Sequence, residues 1–161
     1  MKNKLLTLQT IVLLAGTLFS WFTVFSDFSR FYNIYGSLTR VSGCAIPNPI
    51  TTPCFYGAFA FLIAFIWSAI ILVKSKTEST DLRQTRLNYL LIAGTMFAWS
   101  NFGYEIFKFY SSESGVKLSC SGIPTDNVFL TPCFFGSLIF LAALVISLRI
   151  IKKHNLTEGK Y

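Results

Sequence analysis

Four cysteines are the residues of this chain whose type and spacing suggest covalent chemistry. They fall in two stretches that copy one another, GCAIPNPITTPCFYG from Gly43 to Gly57 and SCSGIPTDNVFLTPCFFG from Ser119 to Gly136. Each copy has a cysteine, an Ile-Pro pair, a polar middle, and then Thr-Pro-Cys-Phe-aromatic-Gly running into an apolar segment. That last hexad reads as a helix start. Thr52 and Thr131 suit the N-cap, and Pro53 and Pro132 suit the first helical position, where no N–H is missed. Cys54 and Cys133 then sit in the first turns of two equivalent helices, where the positive end of the macrodipole favours a thiolate. Two chemistries are open to such residues. One is structural: the four cysteines allow three pairings, and a duplicated unit favours Cys44–Cys54 and Cys120–Cys133, each bridge contributing about 3 kcal/mol in the chain-entropy estimate. The other is thiol–disulfide exchange.

The elements that must position these cysteines are membrane helices. The 161 residues are 53% hydrophobic, 17% aromatic and only 13% charged, too apolar for a soluble domain of this size. Four apolar runs, 5–25, 54–73, 87–107 and 130–151, each approach the ~20 residues that a helix needs to cross about 30 Å of hydrocarbon. The sequence therefore predicts an all-α integral membrane protein, a four-helix transmembrane bundle with cysteine-bearing outer loops.

Charge placement gives the expected sidedness. Of the fourteen Lys and Arg residues, ten (Lys2, Lys4, Lys74, Lys76, Arg83, Arg86, Arg149, Lys152, Lys153, Lys160) fall on one side of a four-span topology. Arg30, Arg40, Lys108 and Lys117 fall on the other. The positive-inside rule then makes both termini cytoplasmic and both cysteine loops extracytoplasmic, in what we expect to be a plasma membrane. These basic helix flanks account for the net charge of +7 without nucleic acid. The lipid bilayer is the expected partner, with another membrane protein or a second copy of the chain beside it.

The internal repeat extends past the cysteine stretches. Ala15 to Trp21 (AGTLFSW) is matched by Ala93 to Trp99 (AGTMFAW), so the first apolar run is expected to be a retained helix rather than a cleaved signal peptide. The second half is displaced by 78 residues early and 79 late. The aromatic pattern sets Phe25-Ser26-Asp27-Phe28 beside Trp99-Ser100-Asn101-Phe102, 74 residues later, and the late register sets Phe61 beside Phe140 and Ser68 beside Ser147. The expected units are a first helical hairpin over 1–76, a cytoplasmic connector over 77–86 and a second hairpin over 87–161. Both hairpins have the same orientation, a parallel repeat about an axis along the membrane normal. Gly16, Gly57, Gly94 and Gly136 are expected to allow close helix contact. Aromatic residues from Trp21 to Tyr32 and from Trp99 to Tyr110, interleaved with Asp27, Arg30, Glu105 and Lys108, belong at the outer interface, in helices that continue past the membrane surface or bend along it.

Other chemistries find little footing. The single histidine, His154, lies in a basic tail, and no metal-ligand cluster, Ser-His-Asp arrangement or phosphate-binding glycine loop occurs. Near the predicted midplane the polar side chains noted are the hydroxyls Thr10, Thr17, Thr95, Ser68 and Ser147, which can bond back to their own helices. By elimination, a non-enzymatic structural, accessory, or lipid- or partner-binding role leads, with no cofactor and no metal. A transporter or channel protomer stays open.

Four helices with paired thiols at the outer membrane face resemble, in architecture, the vitamin K epoxide reductases and the quinone-linked DsbB-type disulfide-forming proteins. The resemblance covers helix count and cysteine sidedness. Those families carry Cys-x-x-Cys at a helix start, whereas here Cys54 is followed by Phe55-Tyr56-Gly57 and Cys133 by Phe134-Phe135-Gly136. What the resemblance implies is a membrane thiol–disulfide oxidoreductase using Cys44, Cys54, Cys120 and Cys133, with a quinone as cofactor.

Overall fold

The computed structural model describes residues 2–37, 47–75, 81–111, 119 and 122–158. The apolar runs become four helices: α1 (Lys2–Tyr35), α2 (Pro53–Lys74), α3 (Asp81–Ser111) and α4 (Pro132–Glu158), and no strand occurs among the described residues. A single 3₁₀ turn precedes each cysteine-bearing helix, at Pro49–Thr51 and Val128–Leu130. At 1.5 Å per residue the 34 residues of α1 reach about 51 Å and the 31 of α3 about 46 Å, well beyond a hydrocarbon core of ~30 Å. The outer aromatic runs are thus straight continuations of the helices. α1 stops where Gly36 takes φ +66° and its N–H returns to the Tyr32 carbonyl at 2.8 Å, a left-handed cap that glycine adopts without a Cβ penalty.

α1, α2 and α4 are each long and apolar enough to cross a membrane. α3 is long enough but more polar, because Gln84, Asn88, Thr95 and Glu105 stand along it. All four are nonetheless buried against the other helices. Helix α3 also begins at Asp81, inside the segment read as connector. The physical reason is Gln84: helical from Asp81, the chain carries this amide into the bundle interior, where it finds two hydrogen-bond partners.

Packing follows a four-cornered ring. α1 touches α2 and α4, α3 touches α2 and α4, and α2 and α4 approach across the diagonal. Contacts such as Thr10–Ser68 and Phe28–Phe55 run antiparallel between α1 and α2, and Gln84–Ser147 and Glu105–Thr131 do the same between α3 and α4. One end of the bundle therefore carries the N-termini of α2 and α4 (the cysteine end) and the other the α2–α3 connector.

The centre of the core is an aromatic stack. Phe61 of α2 and Phe140 of α4 lie with centroids 3.9 Å apart and planes 27° from parallel, each 2% exposed. Two glycines make room for the rings. A Cβ on Gly16 of α1 would stand 2.5 Å from Phe61 Cε1, and one on Gly94 of α3 would stand 2.6 Å from Phe140 Cε1. Gly57 and Gly136 do not share this role, since a Cβ there would meet nothing within 4 Å. Gly94→Ala should therefore lower stability by about 1–3 kcal/mol as an overpacking mutation, outweighing the gain of about 1 kcal/mol in helix propensity. Gly103→Ala on the same helix, where a Cβ meets nothing within 4 Å, should be neutral or stabilising. Unfolding midpoints in detergent check the pair, and equal midpoints would contradict the packing described.

Between the stack and the connector end lies a polar cluster that the sequence reading missed in part. Gln84 Nε2 donates to Gln9 Oε1 and to Ser147 Oγ, both at 3.1 Å, and Thr10 and Ser68 share a hydroxyl bond of 2.8 Å. Gln9 Nε2, Gln84 Oε1 and Asn88 Oδ1 are buried without a protein partner. Rotating both glutamine amides would only exchange which atom of each is left over. The cluster ties α1 to α2, α3 and α4 and so fixes their relative register.

Candidate thiol site at the cysteine end

The site begins with the chain entering α2 and α4. Asn48 Oδ1 accepts from Ile50 N–H at 3.0 Å and Asn127 Oδ1 accepts from Phe129 N–H at 2.9 Å, capping the two 3₁₀ turns. Thr52 and Thr131 follow in extended conformation, with φ −82° in both, at the positions expected of them. Their hydroxyls act differently from the expectation. Thr52 Oγ1 donates backward to the Pro49 carbonyl at 2.7 Å and makes no side-chain cap to α2. Thr131 Oγ1 lies 2.8 Å from the Val128 carbonyl and 3.1 Å from Glu105 Oε2. The 3₁₀ turn competes for the hydroxyl because its first carbonyl lies three residues back, within the reach of a short side chain.

With Pro53 and Pro132 opening the helices, Cys54 and Cys133 fall in the first turns, and the sulfurs stand 3.8 Å apart across the α2–α4 diagonal. This juxtaposition follows from spacing. Phe61 and Phe140 come seven residues after the two cysteines, two helical turns later on the same face and about 10 Å down the axis. The helices that bring the rings into contact must also bring the sulfurs close. Gly57 and Gly136 lie three residues after each cysteine, again on that face, and supply no side chain. The result is a half-open pocket of about 60 Å³ lined by both cysteines, by the stacked rings two turns further along the helices and by the glycines between. Phe19 and Thr23 of α1 and Phe97 and Asn101 of α3 complete the wall, so the lining is overwhelmingly apolar. The motif Cys-x-x-Gly-x-x-x-Phe was present twice in the sequence, and its i, i+3, i+7 spacing was the signal for this cavity.

Aromatic contacts hold the rim. Phe28 meets Phe55 at 6.1 Å and Trp21 meets Phe59 at 5.3 Å, joining α1 to α2, while Phe102 meets Phe134 at 5.1 Å and joins α3 to α4. The two acidic residues interleaved with these aromatics are less exposed than an interfacial position implies. Asp27 is 5% exposed, with Arg30 Nη1 at 3.4 Å from Oδ1, and Glu105 is 6% exposed. Burial therefore matches Asp27 with Glu105, 78 positions later, rather than with Asn101 as the aromatic pattern suggested.

Cys44 and Cys120 lie outside the described residues, and with them their part in the expected bridges Cys44–Cys54 and Cys120–Cys133; Cys133 is disulfide-bonded, and Cys54 is not. Chemically, the described arrangement sets the Cys54 sulfur within exchange reach of a Cys133 sulfur that is already in a disulfide, beside a small apolar pocket. Comparison of the chain with protein-family models, with curated proteins and with solved structures gives no match.

Proposed function

We propose that this protein is a membrane thiol–disulfide oxidoreductase that passes electrons from an extracytoplasmic dithiol to a quinone. The observation that carries the reading is the approach of Cys54 Sγ to Cys133 Sγ, 3.8 Å, at the mouth of an apolar cavity floored by two stacked phenyl rings. Structural staples in separate loops have no need to bring their sulfurs together, and a non-enzymatic accessory protein has no need of the cavity. The stack fills the axis of the bundle, which weighs against a pore through a single copy.

In this reading all four helices span, α3 included, since its polar residues turn toward the bundle rather than toward lipid. Two hairpin repeats place both cysteine loops outside and both termini inside, in an energy-transducing plasma membrane. The balance is simple. Cys133 stands in a disulfide and Cys54 does not; once the Cys133 disulfide has been reduced, the thiols of Cys54 and Cys133 would lose two electrons and two protons as the S–S bond forms, and a quinone would supply the two-electron, two-proton acceptor. The disulfide is reopened by exchange. A thiolate at Cys44 or Cys120 attacks one sulfur, the other leaves as thiolate, and the loop cysteine in turn receives electrons from the external dithiol. Phe19, Phe97 and the two glycines are the residues that would flank a quinone ring beside the sulfurs, and they would have to part to admit it, since the pocket between them is about 60 Å³.

The test is mass-tag thiol trapping on the full chain in native membranes, with and without a short-chain ubiquinone. The expected result is a labile Cys54–Cys133 bridge whose occupancy rises when quinone is added. Two intraloop bridges that resist reduction until the protein is unfolded would overturn the proposal and return the accessory reading.

A further inference from the structure

We infer that the connector-side half of the bundle is a binding site for a buried water molecule, ligated by Gln9 of α1 and by Gln84 and Asn88 of α3. Three buried polar atoms without a protein partner carry the inference: Gln9 Nε2, Gln84 Oε1 and Asn88 Oδ1. Their residues are 0%, 4% and 8% exposed. Native proteins keep few such atoms, because each has given up its hydrogen bonds to solvent and gained none in exchange. The site lies in the other half of the bundle from the sulfurs and does not depend on their chemistry.

Packing makes the room. On one diagonal of the ring α2 and α4 come together, whereas on the other α1 and α3 make no close backbone contact among the described residues. At the depth of the glutamines the two nearer helices present Ser68 and Ser147, both buried and both small. Long amides span the wide diagonal instead, with Gln84 Nε2 donating to Gln9 Oε1 at 3.1 Å. Gln9 Nε2 is bonded to the same carbon as that acceptor oxygen. Asn88 follows Gln84 by one turn on the same helix face, which sets their Cβ atoms ~5–6 Å apart. One oxygen making two hydrogen bonds of ~2.8 Å reaches across about 5 Å, so a single water can touch all three residues. Leu6, Leu13 and Leu91, all buried, stand one turn from Gln9 or Asn88 and close the site off within the core.

The leftover atoms select the ligand. One N–H and two carbonyl oxygens call for a molecule that accepts once and donates twice, which is a water making its usual three bonds. A cation would meet the Gln9 N–H, an anion would meet two carbonyl oxygens, and the bonds of the cluster join only amides and hydroxyls. Rotating both glutamine amides leaves Gln84 Nε2 with Gln9 Oε1 and Asn88 Oδ1, again one donor and two acceptors. In the register of the sequence repeat, Asn88 is the counterpart of Thr10 and Ser147 the counterpart of Ser68. Thr10 is satisfied within its own hairpin, by the Leu6 carbonyl at 3.0 Å and by Ser68 at 2.8 Å. In the second hairpin Gln84 takes Ser147, and Asn88 Oδ1 is left over. The third ligand of the water is thus the residue at which the two halves diverge.

Gln9 and Gln84 are the only glutamines of the sequence, so isotopic labelling of glutamine side-chain nitrogens yields one amide signal from each. The experiment places the full chain in nanodiscs and measures magnetisation transfer from water protons to these amides over a range of pH, since proton exchange varies with pH and dipolar contact does not. The expected result is a pH-independent cross peak between a glutamine amide and a long-lived water. Asn88→Leu, which removes an acceptor and puts methyl groups in the site, should abolish that cross peak. Should the leucine variant not fold, Asn88→Thr supplies the residue of the other hairpin, whose hydroxyl can bond back to its own helix as Thr10 does, and should abolish it as well. A wild type with no such cross peak on either glutamine overturns the inference, and so does a cross peak that persists undiminished in whichever Asn88 variant folds.

Discussion

Replacing Cys54 or Cys133 by serine should stop dithiol-dependent quinone reduction, with a loss of at least ~10³-fold in kcat, as befits removal of a reacting atom. The two variants should be equivalent, because the S–S bond needs both sulfurs and the geometry gives neither a substitute. Serine is close to cysteine in size, and both cysteines are only half-buried, so the bundle should persist in either variant. Helical content and unfolding midpoint measured beside the rate would establish this. The loop cysteines should behave differently. Cys44→Ser or Cys120→Ser should reduce turnover with a bulky external dithiol more than with dithiothreitol, which can reach the helix-start pair directly. If all four substitutions instead lower the unfolding midpoint by similar amounts and leave quinone reduction unaffected, the cysteines are staples.

The helical membrane character was legible from four apolar runs, and the helix starts from Thr52-Pro53 and Thr131-Pro132, because proline at the first helical position leaves few alternatives. The far ends of α1 and α3 were harder. Asp27, Arg30, Glu105 and Lys108 break the hydropathy of those runs, yet they do not break the helix, since Asp27 and Glu105 are shielded by neighbouring helices and the aromatics around them pack across to α2 and α4. Gln9, Gln84 and Asn88 went unnoticed for a related reason. They lie at the edges of the apolar runs, where an amide reads as a loop or interface residue, and only the three-dimensional ring of helices turns them inward. The meeting of Cys54 and Cys133 was left open because pairing by repeat unit looks along the chain, whereas the contact lies across the α2–α4 diagonal and is set by Phe61 and Phe140 seven residues away.

Filling the cavity without touching a sulfur should separate the two half-reactions. Gly136 lines the chamber between Cys133 and Phe140, and a Cβ there meets nothing within 4 Å, so Gly136→Leu has room to place its side chain in the space assigned to the quinone. The added burial of apolar carbon and the gain over glycine in helix propensity both favour the folded state, by about 1 kcal/mol from propensity alone. Stability should therefore hold or rise. Quinone-dependent turnover should fall by on the order of 10²-fold, chiefly through a raised quinone KM, since a leucine would fill a pocket of only about 60 Å³. The exchange half-reaction should survive: in a single turnover without quinone, a preformed Cys54–Cys133 bridge should still be opened by dithiothreitol at close to the wild-type rate. Gly57→Leu approaches the same chamber from α2, where a Cβ also meets nothing within 4 Å, and should give the same pattern. This outcome is opposite in sign to that at Gly94, where the ring of Phe140 already occupies the place of a side chain and substitution should cost stability. Glycines of one chain thus divide into those that admit a phenyl ring of the protein and those beside which a Cβ meets nothing. A Gly136→Leu protein that is stable and turns over quinone normally would show that the chamber is not where the quinone binds.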